Sequence, residues 1–354
     1  MHAHSGRTAR NFMSHEISPE PILQVGLGYM ASKTLLTAVE LDVFTRLAQG
    51  PCERGDLAGA LGLHSRGAAD FLDALVALGF LERRGTEYRN SPSADAFLDR
   101  EKDTYVGGVL EMANSRLYPF WGSLTEALRT GKPQNEQKHG GDVYDAIYHD
   151  QAGLERFLNG MTGLSMGMAR AIAEKFPWVD YRTVLDVGGA LGCVPVAVAQ
   201  RHLHISGGVF ELPRVRPVFD KYVTSFGLTD RIAFHGGDFF ADDLPTADVI
   251  VLGQILHGWG LDEKRLLLKK AYDALPDGGA VLVYDAIIDD ERRHNTFGLL
   301  ASLNMLIESA AGFEYTAADG RSWMAEAGFG STWVEPLMGG YSLLVGIKGR
   351  PGAG

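Results

Sequence analysis

The residues Val184-Leu185-Asp186-Val187-Gly188-Gly189-Ala190-Leu191-Gly192 have the types and spacing of a nucleotide-type site. An apolar run enters a glycine turn, and Val194, Val196, Ala197 and Val198 then follow at the spacing of a helix packed on a sheet. Glycines permit positive φ and close approach of a ligand to the backbone, and the next helix N-terminus offers unpaired N–H groups. A second apolar run ends in Glu211, about twenty positions on, where such folds grip ribose hydroxyls. Asp238, after Gly236 and Gly237, is placed to accept from an exocyclic amine such as that of adenine. Taken singly, these signals also suit a tight βα turn and a helix or turn cap. Their order is more specific than any one of them. His257 follows the buried strand predicted over 248–252 and precedes a helix over 262–275, at the sheet edge where open α/β folds bind ligands. A neutral imidazole, pKa about 6.5, is free to accept a proton near neutral pH. On periodicity alone a histidine in such a loop is most often a surface or capping residue.

The elements that must position these groups fall into two parts. Residues 23–47 carry apolar positions at helical spacing, 56–62 with 65–78 read as a helix-turn-helix, and 81–89 as a short wing hairpin. A winged helix raises the rival function of a ligand-sensing DNA-binding regulator. Its recognition helix would hold Arg66 against Asp70 and Asp73, with Phe71, Leu72, Leu75 and Val76 core-like, so it would repel phosphate. Residues 105–129 stay helical, 131–136 break the pattern, 138–142 read as a loop, and 153–176 form a long amphipathic helix. The domains are therefore a disordered leader 1–18, a winged-helix-like domain 19–110, a helical linker 111–177 and an α/β domain 178–350. The last part should end in a helix over 316–328, an antiparallel hairpin over 333–347 and a flexible tail from 350.

At 354 residues, 45% hydrophobic and 22% charged, the chain is long enough for one large domain and a smaller one. A net charge of −11 argues against nucleic-acid and anionic-membrane partners, which need basic surface. Only Cys52 and Cys193 occur, which excludes a disulfide scaffold and suits the cytoplasm. The N-terminus lacks a signal-peptide core, and no run approaches a membrane span. Asp289-Asp290-Glu291, the only acidic cluster in a loop, reads as a solvated turn, and no metal site is expected.

From about residue 20 onward the chain resembles the S-adenosylmethionine-dependent small-molecule O-methyltransferases of the caffeate and acetylserotonin type, in their bacterial natural-product branch. The resemblance rests on Asp186-Val187-Gly188-Gly189, Phe210-Glu211-Leu212-Pro213, Gly236-Gly237-Asp238-Phe239, Leu256-His257-Gly258-Trp259, Asp277-Gly278-Gly279 and Gly312-Phe313-Glu314-Tyr315-Thr316. It implies a Rossmann-like α/β domain with a mostly parallel seven-stranded sheet, and a mainly α winged-helix domain that serves homodimerisation. It implies that His257 is a general base flanked by Asp285 and Glu314. Asp186, Gly188, Gly189, Gly192, Glu211, Leu212, Asp238, Phe239 and Gln254 would hold S-adenosylmethionine. Phe157, Met161, Met305 and Ser309 would line the pocket of an aromatic acceptor, although methionines at such spacing are also common core filler.

The chain departs from the family pattern in several places. Gly258 replaces an aspartate beside the base, and Gly253 stands where plant members carry a lysine, passing that contact to Gln254. Ala190 replaces a third glycine, which is tolerable if its φ is negative. Glu211 replaces the commoner Asp. Asp285 is shorter than the usual Glu, so if it does not reach the ring, Glu314 is the true partner. Glu308 is either surface or an acidic specificity group. The drift at position 258 leaves transfer to carbon or nitrogen as an alternative.

Overall fold

The computed structural model describes residues 17–102, 104–139 and 151–349. The expected leader lies almost wholly outside these residues, as do the tail from 350 and the end of the loop expected at 138–142.

Among the described residues, ten strands form two sheets. β1 (Cys52–Glu53), β2 (Leu81–Arg84) and β3 (Glu87–Asn90) make an antiparallel sheet in the order β1-β3-β2. The other seven are β4 (Thr183–Val187), β5 (Ser206–Glu211), β6 (Ile232–Gly236), β7 (Val249–Gly253), β8 (Ala280–Asp285), β9 (Phe329–Pro336) and β10 (Ser342–Lys348). Their order is β6-β5-β4-β7-β8-β10-β9, with β10 antiparallel to both neighbours and β4 through β8 parallel. The chain steps outward from β4 to β6, returns to β7 beside β4, and continues the other way. Strand order therefore reverses between β4 and β7, the place where open α/β sheets bind ligands.

The central strands read as continuous apolar runs because helices cover both faces and side chains alternate between them. Leu185, Val187, Ile250, Leu252, Val281 and Val283 join a core with Leu267, Leu268 and Ala271 of the helix Leu261–Ala274 and Trp323 and Met324 of Ala317–Ala327. Val184, Val249, Val251, Ala280 and Leu282 face the opposite way, onto the helices Gln151–Lys175 and Cys193–Arg201. The helix Ala317–Ala327 begins in a capping box formed by Thr316 and Asp319.

The first part of the chain has its own core around Phe44, Leu57, Leu72, Leu75, Leu81 and Tyr88. Its leading helices, Glu20–Gly26 and Tyr29–Glu40, expose Ile22, Leu23, Val25, Leu27, Tyr29 and Met30. Together residues 20–40 are long and apolar enough to cross a membrane by length and composition, which corrects the reading that no run approaches a span. An apolar surface of this kind marks an interaction site.

The acidic loop is also more than a solvated turn. Asp289 accepts the backbone N–H groups of Arg293, His294 and Asn295, which holds its carboxyl well below the usual range, and Asp290 accepts the N–H of Ala318 at 2.8 Å. Asp289 braces the loop after β8 from within, and Asp290 ties that loop to the start of the helix Ala317–Ala327.

Candidate active site

The glycine turn leaves the carboxyl end of β4. Gly188 has φ +69°, and a Cβ there would lie 2.4 Å from the Ile255 side chain and 3.5 Å from the Phe239 ring. Both the positive φ and the close packing require glycine. Ala190 also has φ +51°, against the expectation of a negative value. An alanine held in that region stores about 1–2 kcal/mol of strain. Glu211 explains the backbone path: one carboxylate oxygen accepts the Ala190 N–H at 3.2 Å, and the other accepts the N–H of Leu212 at 2.8 Å.

The turn is electrostatically poised for a cation. Burial pushes the Asp186 carboxyl up to about 8, and the charge of Glu211 adds to the rise. Burial raises Glu211 as well, opposed by its two backbone N–H partners. Asp238 lies beyond β6 and accepts the N–H of Phe240, while its own N–H donates to Asp242. Phe239 and Phe240 stack edge to face on Trp259, with centroids 6.0 and 4.7 Å away. These rings join the loop after β6 to the one after β7.

His257 sits in a single helical turn, Leu256–Gly258, beyond β7. Its Nδ1 lies 2.7 Å from Glu314 Oε1, and its side chain is 17% exposed while that of Glu314 is buried. Asp285, at the end of β8, does not hold the ring. Its Oδ2 accepts the Tyr315 hydroxyl at 2.7 Å and its Oδ1 has no partner. Ligand-type atoms of His257, Asp285 and Glu314 nevertheless all lie within 4.8 Å of one another. Burial lowers the His257 pKa, but the charges of Glu314 and then Asp285 outweigh it and hold the ring at about 9. Burial also lifts Asp285 to about 7, against the nearby imidazole. Three such side chains have the composition of a divalent-ion site, yet the ammonium of Lys264 already supplies positive charge beside them.

Gln254 connects the two halves. Its φ is +54°, its amide donates to Ser165 Oγ at 2.8 Å, and its carbonyl accepts from Tyr341 at 3.3 Å. Gly253 pairs in register with Tyr284, and a Cβ at position 253 would lie 2.1 Å from that ring.

The residues named for the acceptor divide. Met161 and Met305 are half-buried, whereas Phe157 packs with Leu154, Leu158, Leu191 and Val215 behind the glycine turn. Ser309 spends its hydroxyl locally, accepting the Gly312 N–H at 2.7 Å and donating to the Met305 carbonyl. Glu308 is neither surface nor free, since Arg116 binds it at 3.2 Å and Glu136 at 2.8 Å. Tyr315, Ser165, Tyr341 and Lys264 were not legible as site residues. Tyr315 lay inside a recognised motif, but the others carried no local signal.

Residues 121–330 match the family model of the O-methyltransferase domain, and residues 23–100 that of the O-methyltransferase dimerisation domain. Over 338 residues the chain is 44% identical to the tetracenomycin polyketide synthesis 8-O-methyl transferase TcmO of Streptomyces glaucescens, covering 95% of this chain and 99% of that protein. It is 35% identical to the N,N-dimethyltransferase OxyT of Streptomyces rimosus, covering 92% of this chain and 96% of OxyT. Human N-acetylserotonin methyltransferase in complex with SAM superposes with a TM-score of 0.87 at 28% identity, covering 95% of this chain and 99% of that one.

Proposed function

The chain belongs to the O-methyltransferase family, whose methyl donor is S-adenosylmethionine, and on that premise we propose that it methylates a hydroxyl of an aromatic small molecule with His257 as general base. The observation that carries this reading is the 2.7 Å contact between His257 Nδ1 and Glu314, on a turn whose Ile255 packs against Gly188 of the donor turn. With Nδ1–H donating to Glu314, Nε2 is left to accept a proton. When bound, S-adenosylmethionine supplies an electrophilic methyl on a positively charged sulfur. Glu314 holds the ring, and the Glu314 and Asp285 charges favour the imidazolium that forms as the acceptor O–H gives its proton to Nε2. Asp186, Gly188, Gly189, Gly192, Glu211, Leu212, Asp238, Phe239 and Gln254 hold the donor. The fit is chemical as well as geometric, because Asp186 and Glu211 are buried acids that a cationic ligand would relieve. Met161 and Met305 shape the acceptor side, Ser309 supports it through the turn it closes, and Phe157, packed against the cluster of Leu154, Leu158 and Leu191, backs the glycine turn instead.

The exposed apolar residues of Glu20–Gly26 and Tyr29–Glu40 lie largely within the matched dimerisation domain, and this supports a homodimer built on a winged-helix platform. Both cysteines are free, which suits a cytoplasmic enzyme, and the net charge of −11 disfavours nucleic-acid and anionic-membrane partners. OxyT, by its name, methylates nitrogen, and Gly258 removes a carboxylate beside the base. Transfer to nitrogen or carbon is therefore the second reading, in which positioning carries more of the rate and the base less.

Calorimetric titration with S-adenosylmethionine and S-adenosylhomocysteine should show one site per chain for each. A panel of fused-ring phenols and aryl amines then identifies the acceptor atom. His257→Ala should slow phenol methylation at least about 10²-fold with donor affinity kept. A folded, ligand-free protein that binds neither compound would end the methyltransferase reading.

A further inference from the structure

Lys264 is the one buried basic side chain among the described residues. It lies near the start of the helix Leu261–Ala274, where a cation opposes the helix dipole, so its burial needs compensation from elsewhere. The compensation is specific. Its ammonium donates to the Trp259 carbonyl and stands 3.7 Å from the centroid of the Phe313 ring and 5.8 Å from that of Tyr315. These partners belong to two different segments. Trp259 closes the turn that carries His257, while Phe313 and Tyr315 bracket Glu314, and Tyr315 also holds Asp285. Asp285 Oδ1 and Glu314 Oε2 are buried without hydrogen-bond partners, so a nearby cation is the group placed to offset them. Burial drives Lys264 down to about 8, and the charges of Asp285, Glu314 and Glu263 act in the opposite direction.

We propose that Lys264 is a positioning residue for methyl transfer: it clips the turn bearing His257 to the turn bearing Glu314 and balances the Asp285 and Glu314 carboxylates. The proposal rests on the reading of His257 as base. Without the ammonium, His257 is the only positive partner left to two buried carboxylates, which favours the imidazolium, a form unable to accept a proton. The two turns also lose the group that ties them, and the ring loses its fixed orientation.

The test needs no identified acceptor. Histidine-labelled protein is saturated with S-adenosylhomocysteine, and the His257 Nδ1–H resonance is assigned by its loss in His257→Gln. Lys264→Met, of similar length, should still bind S-adenosylhomocysteine within about threefold of wild type, yet broaden or lose that resonance, and Lys264→Arg should restore it in part. With 1-naphthol as probe acceptor, kcat should fall about 10–100-fold with little change in the KM for S-adenosylmethionine. A Lys264→Met protein with wild-type resonance overturns the proposal and leaves the base reading intact. A wild-type rate in His257→Gln overturns the base reading instead. If Lys264→Met does not bind S-adenosylhomocysteine, Phe313→Leu, which keeps the cation but removes its platform, decides by the same resonance.

Discussion

His257 and Glu314 meet at 2.7 Å although 57 positions separate them in the chain, while Asp285, nearer in sequence, makes no hydrogen bond to the ring. The shorter side chain of Asp285 turns to Tyr315 and acts on the imidazole through space. With His257 as the proposed base, the two acids would do different work: Glu314 would fix the tautomer and the ring plane, and Asp285 would act only through its charge.

That division predicts unequal costs. Glu314→Gln should lower kcat for a phenol about 10–100-fold, and Asp285→Asn by less than about tenfold, with donor affinity unchanged in both. Steady-state kinetics with calorimetry in parallel measures the pair. The reverse order would mean that Glu314 does not orient the base.

The same acids set a pH dependence. His257 is held at about 9, and only its neutral form accepts a proton. kcat/KM for a phenol should climb about tenfold per pH unit from 7 and level near 9. The folded chain binds this proton more tightly than the unfolded one. The stability it contributes is thus full below about pH 6.5 and is lost as pH rises through about 9. Glu314→Gln should move both limbs to lower pH. A profile that stays flat from 7 to 9 would remove His257 from the proton transfer.

The alternation of strands and helices, the glycine turn and the place of His257 after a buried strand are legible in periods of two and 3.6 and in adjacent residues, whereas the full sheet and a role for His257 rest on the family resemblance. What was not legible depends on contacts across strands. Nothing local reveals that Glu211 would hold the Ala190 N–H and so force its φ positive, or that Asp285 would find Tyr315 before His257. Lys264 reads in sequence as one more polar position on a surface helix, and its burial follows from Phe313, 49 positions on.

With Asp186 holding the donor, as proposed, donor binding is linked to protons. Burial and the Glu211 charge hold Asp186 at about 8, so much of it is protonated at neutral pH in the free protein. A cationic ligand favours the ionised form, and binding of S-adenosylmethionine at pH 7 should expel up to about one proton. Affinity should rise with pH up to about 8 and then level, and the free protein should lose stability at this group between about pH 4 and 8. Calorimetry in two buffers of different ionisation heat counts the proton, and Asp186→Asn should abolish the buffer difference. An equal heat in both buffers for the wild type would refute the linkage.

Gly253 and Tyr284 answer each other across β7 and β8. A side chain at 253 has no room while the Tyr284 ring is present, since even a Cβ would lie 2.1 Å from it. Restoring the lysine of plant relatives by Gly253→Lys should therefore destabilise the protein by about 1–3 kcal/mol and weaken donor binding. Gln254, the next residue, is held by Ser165 and Tyr341. Tyr284→Ala alone opens a cavity, which the lysine stem would fill in the double variant. Denaturant melts of the wild type, both single variants and the double should show the double less destabilised than the sum of the singles by at least about 1 kcal/mol. Simple additivity would mean that position 253 became glycine for a reason other than its neighbour.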